Sequence, residues 1–210
     1  MNNNVIISIG RQFGSGGSEI GKKLAELFGF EYYDKKLITL AAKEIGFVPE
    51  YFEHFDEKPK FNHAFRIFDG VFSGHYQYDN YFSNDMLFKT QANVILKLAE
   101  EKSCVFVGRC SDYVLRNNPN LLSIFIHSSA TDRVQRICKR MNVDEQKARE
   151  LIKQFDKRRA SFYNYYSNKR WGHCDTYNLS IDASVLGEEQ TVKYLANFVN
   201  ERFGLKIGID

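Results

Sequence analysis

The fold is decided by a stretch that reads Val5-Ile6-Ile7-Ser8-Ile9-Gly10-Arg11-Gln12-Phe13-Gly14-Ser15-Gly16-Gly17-Ser18. Residues 5–9 are mostly β-branched and show no polar alternation, which predicts a strand buried on both faces of a parallel sheet. From Ser18 the apolar residues recur at helical spacing, and Gly29 is expected to end that helix. The predicted order is therefore strand, glycine loop and helix.

The glycine loop predicts a site for the phosphates of ATP at Gly14, Ser15, Gly16, Gly17 and Ser18. Glycines allow positive φ angles, and they let an anion approach the backbone N–H groups and the N-terminus of the following helix. A tight turn with a serine N-cap is the alternative interpretation of the same residues.

The loop lacks the lysine of a standard P-loop. In the pattern G-x-x-x-x-G-K-[ST] the lysine would stand at Gly17, whereas Ser18 keeps the hydroxyl that would meet Mg²⁺. Another cation must then serve the β- and γ-phosphates, and Arg11 at the strand end is the nearest candidate, with Lys22 behind it. Arg11 could instead form a structural ion pair with Asp34.

Further short apolar runs are candidate strands, and helical patterns separate them. These runs are residues 30–33, 104–107, 122–126 and 179–181, and helices are expected at residues 37–45 and about 188–203. Strands that alternate with helices predict an α/β fold with a parallel sheet and right-handed crossovers. In such sheets the ligand lies beyond the C-terminal ends of the strands.

Two stretches interrupt the alternation. Residues 47–83 are rich in aromatic side chains with weak periodicity, which indicates an inserted helical cap or a mobile arm. Residues 133–170 hold 12 Lys and Arg residues against 4 acidic residues. In that basic stretch, apolar residues at spacing i, i+3, i+4 and i+7 predict a helix with one buried face. They are Ala148, Leu151, Ile152 and Phe155.

The composition predicts one globular domain over residues 1–210. Of the 210 residues, 43% are hydrophobic, and a net charge of +3 leaves phosphate binding to local clusters of charge. We expect no signal peptide and no membrane-spanning helix, reduced cysteines and a cytoplasmic location. Since no nucleic-acid-binding motif is present, an RNA or DNA partner ranks last, and its signature would be affinity that falls steeply with salt.

Several segments together resemble the cytidylate kinase-like family. They occur in the family's order, and they are residues 9–17, Tyr32-Tyr33-Asp34, Val107-Gly108-Arg109-Cys110-Ser111-Asp112-Tyr113, Asp156-Lys157-Arg158-Arg159-Ala160, Trp171-Gly172 and Ile181-Asp182-Ala183-Ser184-Val185-Leu186-Gly187. The resemblance implies a three-layer nucleoside monophosphate kinase-like P-loop fold with a five-stranded parallel sheet. It further implies a monophosphate-binding insertion over residues 35–103 and a basic helical lid over residues 130–172.

The resemblance also implies roles for residues that bind the acceptor nucleotide. By position, Arg109 matches an arginine that grips the acceptor phosphate, and Asp34 matches an acid at the site. Asp156 and Arg159, in the pattern D-x-x-R-A, match residues that meet the sugar and the phosphate. The sequence departs from the family pattern at two positions on the acceptor side. Cys110 replaces an aspartate that helps to recognise cytosine, and Leu40 stands where a phosphate-binding arginine is expected.

The expected function is transfer of the γ-phosphoryl group of ATP·Mg²⁺ to a nucleoside monophosphate, with (d)CMP as the first candidate. Arg158 and Arg159 would stabilise the charge that develops in transfer, together with Arg11. The alternative for Asp156 and Arg159 is an i, i+3 ion pair on a solvated helix face. Gln91 could contact a base edge, although a solvated glutamine is the preferred interpretation. The alternative function is a non-catalytic nucleotide-binding protein. The sequence fixes neither the acceptor nor the oligomeric state.

Overall fold

The computed structural model describes residues 4–34 and 79–209. The expected helix at residues 37–45 and most of the expected insertion lie outside these residues, so the insertion and its boundaries stay predictions. Within them, the strands are β1 (Ile6–Arg11), β2 (Glu31–Tyr33), β3 (Cys104–Val107), β4 (Leu121–His127) and β5 (Leu179–Asp182). The helices are α1 (Gly17–Phe28), α2 (Asp79–Glu101), α3 (Ser111–Val114), α4 (Ala130–Met141), α5 (Glu145–Ser167) and α6 (Ala183–Phe203), with a 3-10 turn at Cys174–Thr176.

The five strands form one parallel sheet in the order β2-β3-β1-β4-β5. β1 is central, since Ile6 pairs in register with Cys104 of β3 and with Leu121 of β4. The α/β fold with a five-stranded parallel sheet is confirmed. The glycine loop leaves the C-terminal end of this central strand, where the ends of β2, β3 and β4 also point.

Both faces of the sheet are covered by helices, which explains the apolar run of β1. Ile7 and Ile9 are fully buried in a cluster with residues of α1 and α6. Ile6, on the opposite face, is fully buried with Val94 and Ile95 of α2. A strand with helices on both faces needs apolar residues at every position, so it shows no alternation.

The basic stretch folds into two packed helices. The predicted apolar stripe is confirmed, because Ala148 and Leu151 of α5 are buried against Val134 and Ile137 of α4. Phe13 from the glycine loop belongs to the same cluster, and its ring stacks on Phe155 at a centroid distance of 4.2 Å. The packing therefore joins α4 and α5 to the glycine loop.

The last helix starts earlier than its apolar pattern predicts. Asp182 caps the N-terminus of α6 by accepting a hydrogen bond from the Ser184 N–H at 2.9 Å. Gly187 (φ 72°, ψ 173°) then breaks the helical geometry. The sequence pattern found only the part that follows this break. Among the described residues, no helix combines the length and apolar character that a membrane crossing requires.

Candidate functional site

The glycine loop forms an anion cradle at the start of α1. Gly14 and Gly16 have φ angles of +82° and +81°, which favour glycine. Gly16, not a serine, is the N-cap residue, so the serine-cap interpretation is wrong. Ser15 turns its hydroxyl inward and donates to the Gln12 carbonyl at 3.0 Å. Within residues 4–34 and 79–209, no hydrogen bond engages the N–H groups of Gly16 and Ser18.

The side chain of Arg11 occupies the space beside Gly17. A Cβ built on Gly17 would lie 2.6 Å from Cβ and 3.2 Å from Cγ of Arg11, and 3.3 Å from Cβ of Ile126. The φ angle of Gly17 is not positive, so the backbone itself would accept a lysine there. The stem of Arg11 therefore leaves no room for a side chain at position 17. The guanidinium of Arg11 extends from beside that position.

The guanidinium of Arg11 reaches from β1 toward the end of β3. One of its terminal nitrogens, Nη1, lies against Gly108. Nε is buried without a hydrogen-bond partner in the described part of the chain. Burial lowers the pKa of Arg11, and the negative charge of Asp34 opposes that effect. Asp34 therefore acts on Arg11 through its charge, and the structural ion pair that we considered for Arg11 stays a prediction.

Arg109 stands in a loop with an unusual backbone. Three consecutive residues have positive φ angles, namely Gly108 at 81°, Arg109 at 61° and Cys110 at 56°. Such conformations are costly for residues other than glycine, and they concentrate at functional sites. Arg109 donates from Nε and Nη2 to Oε1 of Gln91, at 2.8 and 2.5 Å, and its guanidinium stacks 4.4 Å from the ring centroid of Phe162. Burial lowers the pKa of Arg109 to about 10.

Arg159 of α5 completes a group of three arginines. Its Nη1 donates to the carbonyl of Arg11 at 2.9 Å, and its guanidinium lies 5.6 Å from the ring centroid of Phe13. Its pKa is lowered well below the usual value by burial and by repulsion from Arg11. Arg11 also repels Arg109. The structure thus gathers three guanidinium groups beside the glycine loop.

Asp156 links α5 to the glycine loop. It accepts a hydrogen bond from the Phe13 N–H at 2.7 Å and forms an ion pair with Nη2 of Arg133. Arg133, which is buried, donates from Nε to the carbonyl of Phe13 at 2.8 Å. The ion pair of Asp156 is therefore made with Arg133, and not with Arg159 as the helix-face alternative required. A role of Asp156 toward the substrate stays a prediction.

The other predicted residues lie around this group. Arg158 lies over Phe155, 5.9 Å from its ring centroid, so neighbouring arginines on α5 take different positions. Asp34 follows β2 and acts on Arg11 through its charge. Ser18 is partly exposed, and its carbonyl accepts a hydrogen bond from the Tyr32 hydroxyl at 3.4 Å.

Gln91 is a residue whose position sequence reasoning missed. The preferred interpretation, a solvated glutamine, is wrong because Gln91 is only 3% exposed. Gln91, Val94 and Ile95 lie at i, i+3 and i+4 on one face of α2, and that spacing could have indicated burial. A second such residue is Arg136 of α4, whose Nη1 lies against Gly16 while it pairs with Glu188 at 3.3 Å.

Five cations of the basic stretch have acidic partners. The pairs are Arg133–Asp156, Arg136–Glu188, Arg140–Glu19, Lys147–Glu150 and Arg149–Glu145. These pairs account for five of the twelve cations of the stretch, and exposed cations such as Lys139, Lys153 and Lys157 are not among them. Arg133 and Arg136, which contact Phe13 and Gly16, are among the paired arginines, whereas Arg159 forms no ion pair within residues 4–34 and 79–209.

Magnesium would find few protein ligands in the described residues, which hold no group of three or more His, Cys, Asp or Glu side chains. Mg²⁺ is commonly held by one or two protein oxygens, waters and the phosphates of the substrate. The Ser18 hydroxyl at the start of α1 fits that mode of binding. Cys104, Cys110, Cys138 and Cys174 are free, as expected.

Comparison with solved structures supports the fold. An uncharacterized protein from Eubacterium ventriosum is 29% identical with a TM-score of 0.72, and the match covers 95% of this chain and 100% of that one. Shikimate kinase from Bacteroides thetaiotaomicron is 16% identical with a TM-score of 0.53, covering 96% of this chain and 99% of that one. Shikimate kinase from Acinetobacter baumannii, solved in complex with shikimate, is 15% identical with a TM-score of 0.50, covering 96% of both chains. The two shikimate kinases show the fold alone.

Comparison with sequence families identifies the chain. No curated protein matches it significantly. The model of the cytidylate kinase-like family, by contrast, matches residues 6–185. This match spans β1, the glycine loop, the Gly108-Arg109 loop, α4, α5 and β5. The chain therefore belongs to the cytidylate kinase-like family.

Proposed function

We propose that this protein transfers the γ-phosphoryl group of ATP·Mg²⁺ to a nucleoside monophosphate, with (d)CMP as the first candidate. One observation carries the proposal: the glycine loop adjoins three guanidinium groups, from Arg11, Arg109 and Arg159, and Arg11 repels the other two. Asp34 and Asp156 attract Arg11 and Arg159 by their charge, whereas no carboxylate of the described residues does so for Arg109. An anion with several charges is the ligand that relieves the repulsion among the three groups.

The donor side of this proposal is the cradle from Gly14 to Ser18. Its free N–H groups and the N-terminus of α1 would hold phosphate oxygens of ATP. Mg²⁺, held by Ser18 and by the phosphates, would supply charge neutralisation there. Arg136, next to Gly16, is a further cation near the donor phosphates.

Arg11 takes the part of the missing lysine in this proposal. Its stem fills the space that a side chain at position 17 would need, and its guanidinium extends toward the Gly108-Arg109 loop. It thus lies between the donor cradle and Arg109, where the transferred group must pass. A planar guanidinium with several donors suits the spread charge of that group.

The acceptor side is assigned to Arg109, and the closing element to α5. Arg109 would grip the acceptor phosphate, and Arg159 would bring a third cation over the transferring group. Such a reaction needs two aligned nucleotides and a positive environment more than covalent help. The lid helices pack on Phe13 of the glycine loop, so their position is tied to the donor side.

The experiment is a turnover panel with purified protein, ATP and Mg²⁺. Each common ribo- and deoxyribonucleoside monophosphate is offered as acceptor, and ADP formation is followed with and without it. We expect acceptor-dependent turnover, with CMP or dCMP first. Shikimate serves as a hydroxyl acceptor of another class, and turnover with shikimate alone would overturn the proposal. Nucleotide binding without turnover on any acceptor would instead favour the non-catalytic alternative, for which the missing lysine is the supporting observation.

A further inference from the structure

The contact between Gln91 and Arg109 has a chemical consequence for the acceptor side. Oε1 of Gln91 accepts from both Nε and Nη2 of Arg109, at 2.8 and 2.5 Å. A guanidinium has five N–H donors and no acceptor, so this contact fixes which end of the amide is oxygen. It also leaves three N–H groups of Arg109 for a ligand.

The partner of Arg109 is neutral, which is unusual for a partly buried arginine. Among the ion pairs of residues 4–34 and 79–209, none includes Arg109. Its guanidinium also lies over the face of Phe162, at 4.4 Å. The side chain is therefore held in place from two sides without losing its charge. A glutamate at position 91 would hold the guanidinium equally well but would neutralise it.

The amide of Gln91 has an unsatisfied group of its own. Its Nε2 is buried without a hydrogen-bond partner in the described residues, in a side chain that is only 3% exposed. A buried donor of this kind needs an explanation, because such groups are nearly always paired. A cation and an amide donor, side by side and both short of acceptors, indicate that a ligand rich in oxygen belongs next to them.

We propose that Gln91 is a positioning residue, which orients Arg109 and keeps its charge available for the anionic acceptor. This inference rests on the proposed function for the identity of the acceptor. The geometry on which it stands, a bidentate contact to a neutral oxygen, does not depend on that identity. Gln91 acts through Arg109, and its effect belongs to acceptor binding and not to the binding of ATP.

The decisive variant is Gln91→Glu, because it separates positioning from packing. If Gln91 only supports the packing of α2, a carboxylate that pairs with Arg109 should preserve both stability and activity. If Gln91 keeps Arg109 charged for a ligand, the same variant should fold normally and still lose acceptor affinity. We expect an unchanged or higher melting temperature and an acceptor KM raised at least tenfold. The Kd for ATP should stay within twofold. Asn93→Ala, at an exposed position of the same helix, is the matched control.

A second experiment, which measures binding without turnover, tests this inference independently of the proposed function. Titration calorimetry with CMP, and separately with inorganic pyrophosphate, needs no turnover. If the wild-type protein binds CMP without phosphorylating any monophosphate, the catalytic proposal fails. A tenfold loss of CMP binding in Gln91→Glu would still support the positioning role. Gln91→Glu that folds normally and binds CMP within twofold of wild type would overturn it.

A measurement on the wild-type protein covers the case in which Gln91→Glu does not fold. The Nε–H resonance of Arg109, assigned by its disappearance in Arg109→Lys, can be followed by nitrogen-15 NMR. We expect hydrogen exchange at this group to be at least tenfold slower than at Nε of Arg116, which is exposed. Equal exchange rates would show that Gln91 does not hold Arg109 in solution and would overturn the inference.

Discussion

At the scale of single residues, the account depends on a steric relation between two positions. Arg11 and Gly17 are adjacent in space, and the Cβ of Arg11 lies where a side chain at position 17 would begin. The missing lysine and the arginine are therefore alternatives for one volume. Because of this relation, substitutions at positions 11 and 17 can test whether Arg11 replaces the missing lysine.

Removing the charge of Arg11 should slow the reaction without disturbing the fold. Arg11→Gln keeps hydrogen-bonding groups but loses the cation, so we expect kcat to fall at least tenfold, or about 1.4 kcal/mol in activation free energy. Steady-state kinetics and a melting curve measure the two effects. Wild-type turnover in this variant would place the compensating cation elsewhere, with Arg136 and Lys22 next to test.

A double substitution should restore the lysine of a standard P-loop. Gly17→Lys alone would clash with Cβ of Arg11, 2.6 Å away, and should be unstable or inactive. Arg11→Gly removes that Cβ and the guanidinium together, so Arg11→Gly/Gly17→Lys has room for the lysine. We expect kcat of the double variant to exceed that of Arg11→Gly at least fivefold, since one charge is regained. Equal rates would mean that the two positions are not interchangeable.

Arg109 should affect the acceptor nucleotide far more than ATP. Arg109→Ala removes a charge-assisted, bidentate contact to a partly buried anion, which is worth about 2–4 kcal/mol. The acceptor kcat/KM should fall accordingly, while the Kd for ATP changes less than threefold. Arg116→Ala, on an exposed arginine that contacts the Tyr113 carbonyl at 2.8 Å, is the control. Equal losses for both nucleotides would refute the assignment.

At the scale of elements, Asp156 links helix α5 to the glycine loop. Asp156→Ala would leave the buried Arg133 without its counterion and the Phe13 N–H without an acceptor. We expect a loss of about 3–5 kcal/mol in the free energy of unfolding, measured in urea. Glu150→Ala breaks only the exposed pair with Lys147, so a change within about 0.5 kcal/mol is expected there. If both variants lose similarly little unfolding free energy, the contacts of Asp156 with Arg133 and Phe13 do not stabilise the fold.

A second link between elements predicts a pH dependence. Asp112 of α3 accepts a hydrogen bond from the Tyr163 hydroxyl of α5 at 2.5 Å, and burial raises the pKa of this carboxyl. The folded chain thus keeps a proton that the unfolded chain loses near a pKa of about 3.9, and stability falls as the pH rises toward the raised pKa.

Asp112→Asn removes this titration while it keeps an acceptor for Tyr163. We expect the melting temperature of Asp112→Asn, relative to wild type, to rise between pH 4 and pH 8. A difference of about 1 kcal/mol would shift it by roughly 2–4 °C. Melting curves at both pH values measure the effect. If the difference in melting temperature between the two proteins is the same at both pH values, the pKa of Asp112 is not raised in the folded chain.

At the scale of the whole molecule, the fold could be predicted because its signals are local. Each strand is a short apolar run, and the strand–glycine loop–helix order fixes where β1 ends and where phosphate can bind. The apolar stripe from Ala148 to Phe155 likewise predicted the buried face of α5. Local patterns also pointed to Arg11, because it is the nearest cation before a loop that lacks its lysine.

The contacts that organise the site could not be predicted, because they join residues that lie far apart in the sequence. Arg133 is 23 residues from Asp156, and Gln91 is 18 residues from Arg109. Both contacts exist only after helices pack on the sheet. An i, i+3 pair between Asp156 and Arg159 satisfied the local spacing, but packing of α4 on α5 placed Arg133 nearer. The side chain of Gln91 is polar, so the sequence favoured a solvent-exposed position. In the structure, however, the packing of α2 buries it.

We propose above that Arg11 lies between the glycine loop, which binds the donor phosphates, and Arg109, which binds the acceptor phosphate. A crystal structure with a bisubstrate inhibitor, in which five phosphates link adenosine to cytidine, tests this arrangement most directly. The account predicts phosphate oxygens on the N–H groups from Gly14 to Ser18 at the adenosine end, and Arg109 on the phosphate next to cytidine. Arg11 should contact the phosphates between them. A phosphate chain bound away from the glycine loop, or an Arg11 that touches no phosphate, would contradict the account.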